Sequence, residues 1–287
     1  MKNNIELIIG VCVTKTDFDK YRNRLFQSLK NLYSAFKTNC VVYIVLQSDS
    51  ACEISEGFYG EEWIKLVNIH YMGISNARNL CIEKAQSISA KYIIFHDASL
   101  YWTPSAAEFI FKYKEHPVTP CVNISFEDHV EPHICRGLTK HTNVMSSKIT
   151  KNNPIYNSFV WSYLFRVADI NSSRFDLNFG PGDSTIFKSG EDVLFLFEYF
   201  SKDKRVIMPR NSGVLISHPP RPGDFSKHLL YAYGQGALFR KLVKEYFNIR
   251  LLIDVVLFFG NAIFRCIMLR KNAFPILINR LKGFTGV

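Results

Sequence analysis

The run from Ile5 to Val13, apolar but for Glu6 and Gly10, is followed directly by Phe18 to Phe36, where apolar residues recur at helical spacing, and then by a second apolar run, Cys40 to Leu46. A buried strand, an amphipathic helix and another strand are the reading that fits this order of periodicities. The same alternation continues. A helix is expected over Asn76 to Ala85 after Ser75, a strand over Lys91 to Phe95, and a helix from Thr103-Pro104 to about Lys114 with proline at its first position. Repeated strand-helix units imply an α/β fold with a mostly parallel sheet, whose ligands gather beyond the carboxyl ends of the strands.

The chain has 287 residues, 47% of them hydrophobic, enough to build a core without disulfides or metal. Its seven cysteines (12, 40, 52, 81, 121, 135 and 266) are odd in number, scattered, and never spaced as C-x-x-C. They read as reduced thiols of a cytoplasmic protein and argue against a zinc knuckle. The first apolar run is too short and broken for a signal peptide. With no internal repeat or linker of biased composition, residues 1–240 are expected to form one domain and residues 241–287 a basic helical extension.

Two segments carry paired polar chemistry. Ser189-Gly190-Glu191-Asp192 precedes the apolar run Val193 to Phe197, placing two carboxylates at the start of a helix. They suit a catalytic base, or a capping arrangement in which Ser189 and Asp192 satisfy the first-turn amides. The other is Gly73-Ile74-Ser75-Asn76-Ala77-Arg78-Asn79, followed by a strand ending His96-Asp97-Ala98-Ser99. A helix N-terminus next to a strand-terminal carboxylate suits an anionic ligand or a metal-bound phosphate; an ordinary cap and a strand-ending Asp are the plainer reading.

Taken together, Gly73-x-Ser75-x-Ala77-Arg78-Asn79, Asp97-x-Ser99, Phe179-Gly180-Pro181-Gly182, Ser189-Gly190-Glu191-Asp192, His218 and Tyr233-Gly234-Gln235-Gly236 stand in an order that resembles the family-two glycosyltransferases of bacterial surface-polysaccharide assembly. The resemblance spans roughly residues 5 to 240. It implies a GT-A fold, a Rossmann-like nucleotide-diphospho-sugar transferase architecture, and hexosyl transfer with inversion from a nucleotide-diphosphate sugar. The implied acceptor is a lipid-linked glycan such as O-antigen or capsule, and the implied location is the inner face of the cytoplasmic membrane.

By the same resemblance Asp192 is the general base, and Glu191 orients the acceptor or holds the loop. Asp97 falls on the first Asp of the family's D-x-D element, which holds a divalent cation (Mn²⁺ or Mg²⁺) on the donor diphosphate. Ser99 stands at the second, a weaker ligand for a hard cation. His218 matches a late metal-ligating His, or is a loop histidine beside Pro219-Pro220. Arg78 and Asn79 match residues on the donor side, or form a surface pair. At the end of the second strand, Gln47 offers both donor and acceptor to a uracil edge, and Asp49 either contacts the base or begins a turn. The 179–182 segment matches an acceptor-side loop or is a plain turn. Trp102 and Trp161 are sugar-stacking candidates or core aromatics. A catalytically silent, membrane-bound scaffold of the same fold is the competing reading, motivated by Ser99.

The net charge of +10 is concentrated late: from Arg221 onward there are eleven lysines and arginines against three acids. No nucleic-acid recognition motif accompanies that charge, so the expected partner is not nucleic acid but an anionic membrane surface. Leu251 to Leu269 is long enough to span a bilayer, and in and beside it the polar residues Arg250, Asp254, Asn261, Arg265 and Asn272 fall in a stripe roughly 60° wide at about 100° per residue. Charges inside a spanning helix are costly, so a helix lying in the interface is expected. It would keep these groups in water and bury Leu251, Val255, Phe258, Phe259, Ile263 and Ile267 in lipid. Packing of that face on the catalytic domain, or on a second subunit of a homodimer, is the alternative.

Overall fold

The computed structural model describes residues 5–49, 61–126, 146–182, 185–220 and 226–287. Cys52, Cys135, Arg221 and Asp224 lie outside them. Strands β1 (Leu7–Thr14), β2 (Cys40–Gln47), β3 (Ile64–Ile69) and β4 (Tyr92–His96) run parallel in the order β3-β2-β1-β4, and the two-residue β9 (Phe165–Arg166) closes the β4 edge antiparallel. Sequence periodicity finds β1, β2 and β4 to within two residues at each end but misses β3. Only one β3 residue faces open solvent, yet none is fully buried, so IKLVNI lacks the continuous apolar signature of the central strands.

Helix α1 (Lys15–Phe36) starts three residues before its first large apolar residue because the Thr14 side chain accepts from the Asp17 N–H. It buries Phe18, Leu25, Leu29, Leu32 and Phe36 on one face of the sheet, beside α3 (Pro104–Tyr113), which Thr103 caps. On the other face α2 (Ile74–Ser87) contributes Ala77, Cys81, Ile82 and Ala85. That layer continues through the four-residue α4 (Val167–Ile170) to α5 (Glu191–Tyr199), whose Phe195 and Leu196 stack against Phe95, Phe165 and Phe175.

Two small sheets flank this sandwich. One sets β10 (Arg205–Pro209) between β6 (Thr119–Pro120) and β8 (Ser147–Lys151); the other sets β11 (Leu215–Ser217) between β5 (Tyr101–Trp102) and β7 (Asn123–Ser125). Trp102 and Trp161 are both core side chains, 0% and 3% exposed, so neither is a sugar-stacking surface.

Beyond the sheets come α6 (Ser226–Tyr246), α7 (Ile249–Ile267) and α8 (Ala273–Thr285). Helix α6 runs through position 240 without a break. Val193, Leu194 and Phe197 of α5 share one core with Leu238 and Leu242 of α6 and Leu251 and Val255 of α7, so the helical extension is continuous with the sheet domain. The Tyr233-Gly234-Gln235-Gly236 motif lies on α6, and there the glycines permit contact between backbones. A side chain at Gly236 would collide with the α8 backbone at Arg280 and Phe284; one at Gly283 would collide with the α6 backbone at Tyr233 and Ala237.

The lipid-facing surface expected for α7 is corrected here. Leu251 and Val255 are buried and Phe258 and Phe259 half-buried against the domain, while Ile263 and Ile267 are exposed. Nor does Asp254 sit in water. It is buried, accepting from Tyr156 Oη at 2.9 Å and Asn153 Nδ2 at 3.2 Å. Among the described residues no helix is long and apolar enough to cross a membrane.

Candidate active site

In a parallel sheet of order β3-β2-β1-β4 the chain winds outward in one direction from β1 to β3 and then resumes on the opposite side with β4. The crevice at the carboxyl ends of β1 and β4 is therefore the switch point at which such sheets bind ligands. Asp97 follows β4 immediately and lies at that crevice.

Arg78 is what gathers the site. Its guanidinium, only 4% exposed, donates to Asp192 Oδ1, faces Asp97 Oδ1 at 3.3 Å and Glu191 Oε1 at 3.6 Å, and lies over the Phe175 ring. Sequence reasoning lists Arg78, Asp97, Glu191 and Asp192 as separate candidates from three motifs; the fold brings all four into one cluster. Burial works against the charge on Arg78, but Asp192, Asp97 and Glu191 outweigh it and hold the guanidinium firmly protonated. Burial, then the neighbouring Asp192 charge, pushes Glu191 up to about 8 against the pull of Arg78. Burial also raises Asp192, which Arg78 partly offsets. Burial and mutual repulsion thus make these carboxylates stronger bases than in water, and the Arg78 cation opposes that effect without cancelling it.

The capping reading of Ser189 does not hold. The residue preceding α5 is Gly190, at φ 108°, with no side-chain cap, and Ser189 Oγ donates instead to the Tyr231 carbonyl of α6. Gly234 of α6 fits directly against Ser189: an added side chain would lie about 3.0 Å or less from Ser189 N, O and Oγ. Helix α6 therefore seats the turn that delivers Glu191 and Asp192.

The N-terminus of α2 is also not the open anion site its sequence suggests. Ser75 is inside the helix, and Gly73 precedes it. Ser75 Oγ donates to the Phe179 carbonyl at 2.5 Å and the Ile74 N–H to the Pro181 carbonyl at 3.2 Å, so the 179–182 segment covers this helix end. Asn79 is likewise committed, donating to the Phe175 carbonyl and accepting from the Phe175 N–H at 3.0 and 2.9 Å. It fixes the ring on which Arg78 rests.

At the other side of the crevice Gln47 is buried and its Oε1 accepts from the Met72 N–H at 2.9 Å, while Asp49 stands exposed just past β2. Ser99 is half-buried. Its carbonyl accepts from Arg24 Nε at 2.7 Å, and Arg24 Nη2 also reaches Ser217 Oγ at 2.8 Å, tying the Asp97 turn to the end of β11. Arg24 is a site-supporting residue that the sequence does not announce, because a polar residue on an amphipathic helix carries no mark of what it faces. A second brace is buried beneath: Ser28 Oγ meets His96 Nε2 at 2.8 Å, and His96 Nδ1 meets the Asp97 carbonyl at 2.8 Å. Burial lowers His96 to about 4, so the ring is neutral.

His218 follows Ser217, stacks on Trp161 at 6.1 Å between ring centres, and bonds the Pro219 carbonyl through Nδ1. Among the described residues no three His, Cys, Asp or Glu side chains converge as a metal cage. A cation carried in on a ligand's phosphates would meet the Asp97 carboxylate, which is 33% exposed and has its Oδ1 engaged by Arg78.

No family model matches the sequence, and no curated protein matches it. Among solved structures, residues 1–349 of S. aureus TarS in complex with UDP-GlcNAc superpose with a TM-score of 0.61 at 15% identity, over 97% of this chain and 80% of that one. The fold resembles that of TarS. The same TarS fragment without ligand gives a TM-score of 0.59 at 15% identity over 97% and 80% of the two chains; its complex with UDP gives 0.51 at 14% identity over 97% and 89%. The expected architecture, a mostly parallel α/β sheet of the GT-A kind with a helical C-terminus, is the one observed.

Proposed function

We propose that this chain is an inverting glycosyltransferase that moves a hexosyl group from a UDP-sugar to a hydroxyl of a lipid-linked surface glycan. The observation that carries the reading is the Arg78 cluster, which joins Asp97, Glu191 and Asp192 at the switch point of the sheet. That TarS, of like fold, binds UDP-GlcNAc and UDP supports the donor class. The order of motifs along the chain supports the acceptor class.

In the proposed reaction the acceptor hydroxyl attacks the anomeric carbon from the face opposite the diphosphate. Asp192 takes the hydroxyl proton as the new C–O bond forms and the bond to the diphosphate oxygen breaks, so UDP leaves with that bond's electrons and the centre inverts. Glu191, protonated near neutral pH, keeps a second negative charge away from Asp192. Arg78 fixes the base in position and releases it as the acceptor enters. Asp49 is the group assigned to the uracil edge, Gln47 shaping the pocket wall beneath it. A divalent cation, Mn²⁺ or Mg²⁺, bound with the donor would rest on Asp97 and supply charge stabilisation to the diphosphate.

The test is release of UDP from a panel of UDP-sugars, together with calorimetric binding of UDP with and without Mn²⁺. Binding of UDP and slow turnover of at least one UDP-sugar are expected. A folded protein that binds neither UDP nor any UDP-sugar under either condition overturns the reading and leaves a fold without the activity.

A further inference from the structure

Helix α7 is apolar on two opposite sides. One side, carrying Leu251 and Val255, belongs to the core shared with α5 and α6. The other faces solvent. Leu252, Ile253, Val256, Leu257, Phe264 and Ile267 are 42% to 70% exposed. At about 100° per residue they fall within an arc roughly 140° wide, with no polar side chain in it, along a helix about 27 Å long. A contiguous apolar strip of that length is far beyond the scattered exposed leucines normal to a monomer's surface, and it marks a site that something covers.

The charges around the strip decide what covers it. From Ile249 to the end of the chain the sole acid is Asp254, which is buried in hydrogen bonds to Tyr156 and Asn153. The cations Arg250, Arg270, Lys271 and Lys282 are exposed, with Arg250 next to the start of the strip and Arg270 and Lys271 just past its end. Arg280, by contrast, is buried against Gln235 and contributes nothing outside. An apolar strip with cations at both ends and no exposed acidic side chain from Ile249 onward is complementary to a surface that is apolar inside and negative at its rim; the nearest exposed acid, Glu245, is paired with Lys241. A second copy of this chain is not complementary to it, because an isologous pairing through the strip sets cation against cation.

We infer that the solvent-facing strip of α7 beds into the headgroup boundary of an anionic lipid membrane, lying parallel to it, with Arg250, Arg270 and Lys271 on the phosphates. This face keeps Ile263 and Ile267 of the one suggested by helical periodicity alone but replaces Leu251, Val255, Phe258 and Phe259, which the domain covers. In that pose α7 touches the bilayer and shares its inner side with the core of α5, the helix that begins with Glu191 and Asp192.

Flotation of the full-length protein with vesicles tests this, using phosphatidylglycerol mixed with phosphatidylcholine against phosphatidylcholine alone. Wild type is expected to float with the anionic vesicles, more at low salt than at high. Val256→Asp, at the middle of the strip and 63% exposed, should lower partitioning at least tenfold while leaving the unfolding midpoint unchanged. Exchanging Arg250, Arg270 and Lys271 together for Gln should lower it on the order of a hundredfold, from roughly fivefold per cation near the surface. Failure of wild type to float with anionic vesicles overturns the inference, as does flotation that Val256→Asp leaves intact. So does a dimer in sedimentation that Val256→Asp dissociates in a protein that never binds vesicles.

Discussion

Arg78 of α2 and Asp192 of α5, 114 positions apart in the chain, form a hydrogen-bonded ion pair at the mouth of the sheet, and both of the other acids of the site lie within reach of the same guanidinium. Removing the arginine leaves Asp97 and Asp192 without their cation, next to the Glu191 carboxyl. Arg78→Ala is therefore expected to destabilise the fold by about 3 kcal/mol or more, the usual consequence of breaking a buried ion pair from one side. Denaturant unfolding of wild type and variant at pH 7 measures it. Arg78→Lys keeps the charge but not the fork, and should recover only part of the loss.

Asp192→Asn preserves shape and removes the proton acceptor. Asp97 and Glu191 still face Arg78, so the variant should fold with some loss of stability, bind UDP, and lose roughly a hundredfold or more in transfer rate. Steady-state UDP release with saturating donor and acceptor gives the rate. A loss smaller than tenfold removes Asp192 as the base.

The raised Glu191 carboxyl makes stability depend on pH in a defined direction. Its folded value is about 8, above the ordinary carboxyl value of 4.5, so between these two pH values the native state holds more protons than the unfolded chain. Stability contributed by that proton is present below about pH 4.5 and is lost as pH rises through about 8. Glu191→Gln should flatten this fall, which thermal melts of both proteins at pH 6, 7 and 8 would reveal as a smaller decline in Tm for the variant.

Gly236 and Gly283 face each other's helix backbones, and a methyl group at either has nowhere to go. Gly236→Ala and Gly283→Ala are each expected to lower stability by roughly 1–3 kcal/mol through overpacking. The double variant should cost less than the two singles summed, because the helices are already pushed apart by the first. Urea midpoints of the three proteins check both points.

The parallel sheet and its first helices are legible in the sequence because long apolar runs and helical periodicity report burial directly, as in β1, β2 and α1. β3 is not, since it is half-buried throughout and carries Lys65 and Asn68 in a six-residue span. Asp97, Glu191 and Asp192 are legible as candidates through the order of motifs in which they stand, since carboxylates at helix starts are common by themselves. What the sequence hides is their common partner and its supports. Arg78 looks like one more residue of a helical turn until the fold brings α5 to it, and Asn79 looks like a ligand-facing amide until Phe175 takes both its groups. The tail is misread for a related reason: α7 has two apolar sides, and periodicity locates its polar edge without saying which side the domain claims.

The Gly234–Ser189 contact sets the terms on which this protein can be shortened. Helix α6 presses on the turn that holds Glu191 and Asp192, and α7 and α8 complete the core beneath it. A chain trimmed before α7 loses Leu251, Val255 and Asp254 and strips the backing from the Glu191–Asp192 turn. Heat should accordingly melt helices and sheet in a single transition, and an inactive truncation would report a collapsed hinge pin as readily as a missing anchor.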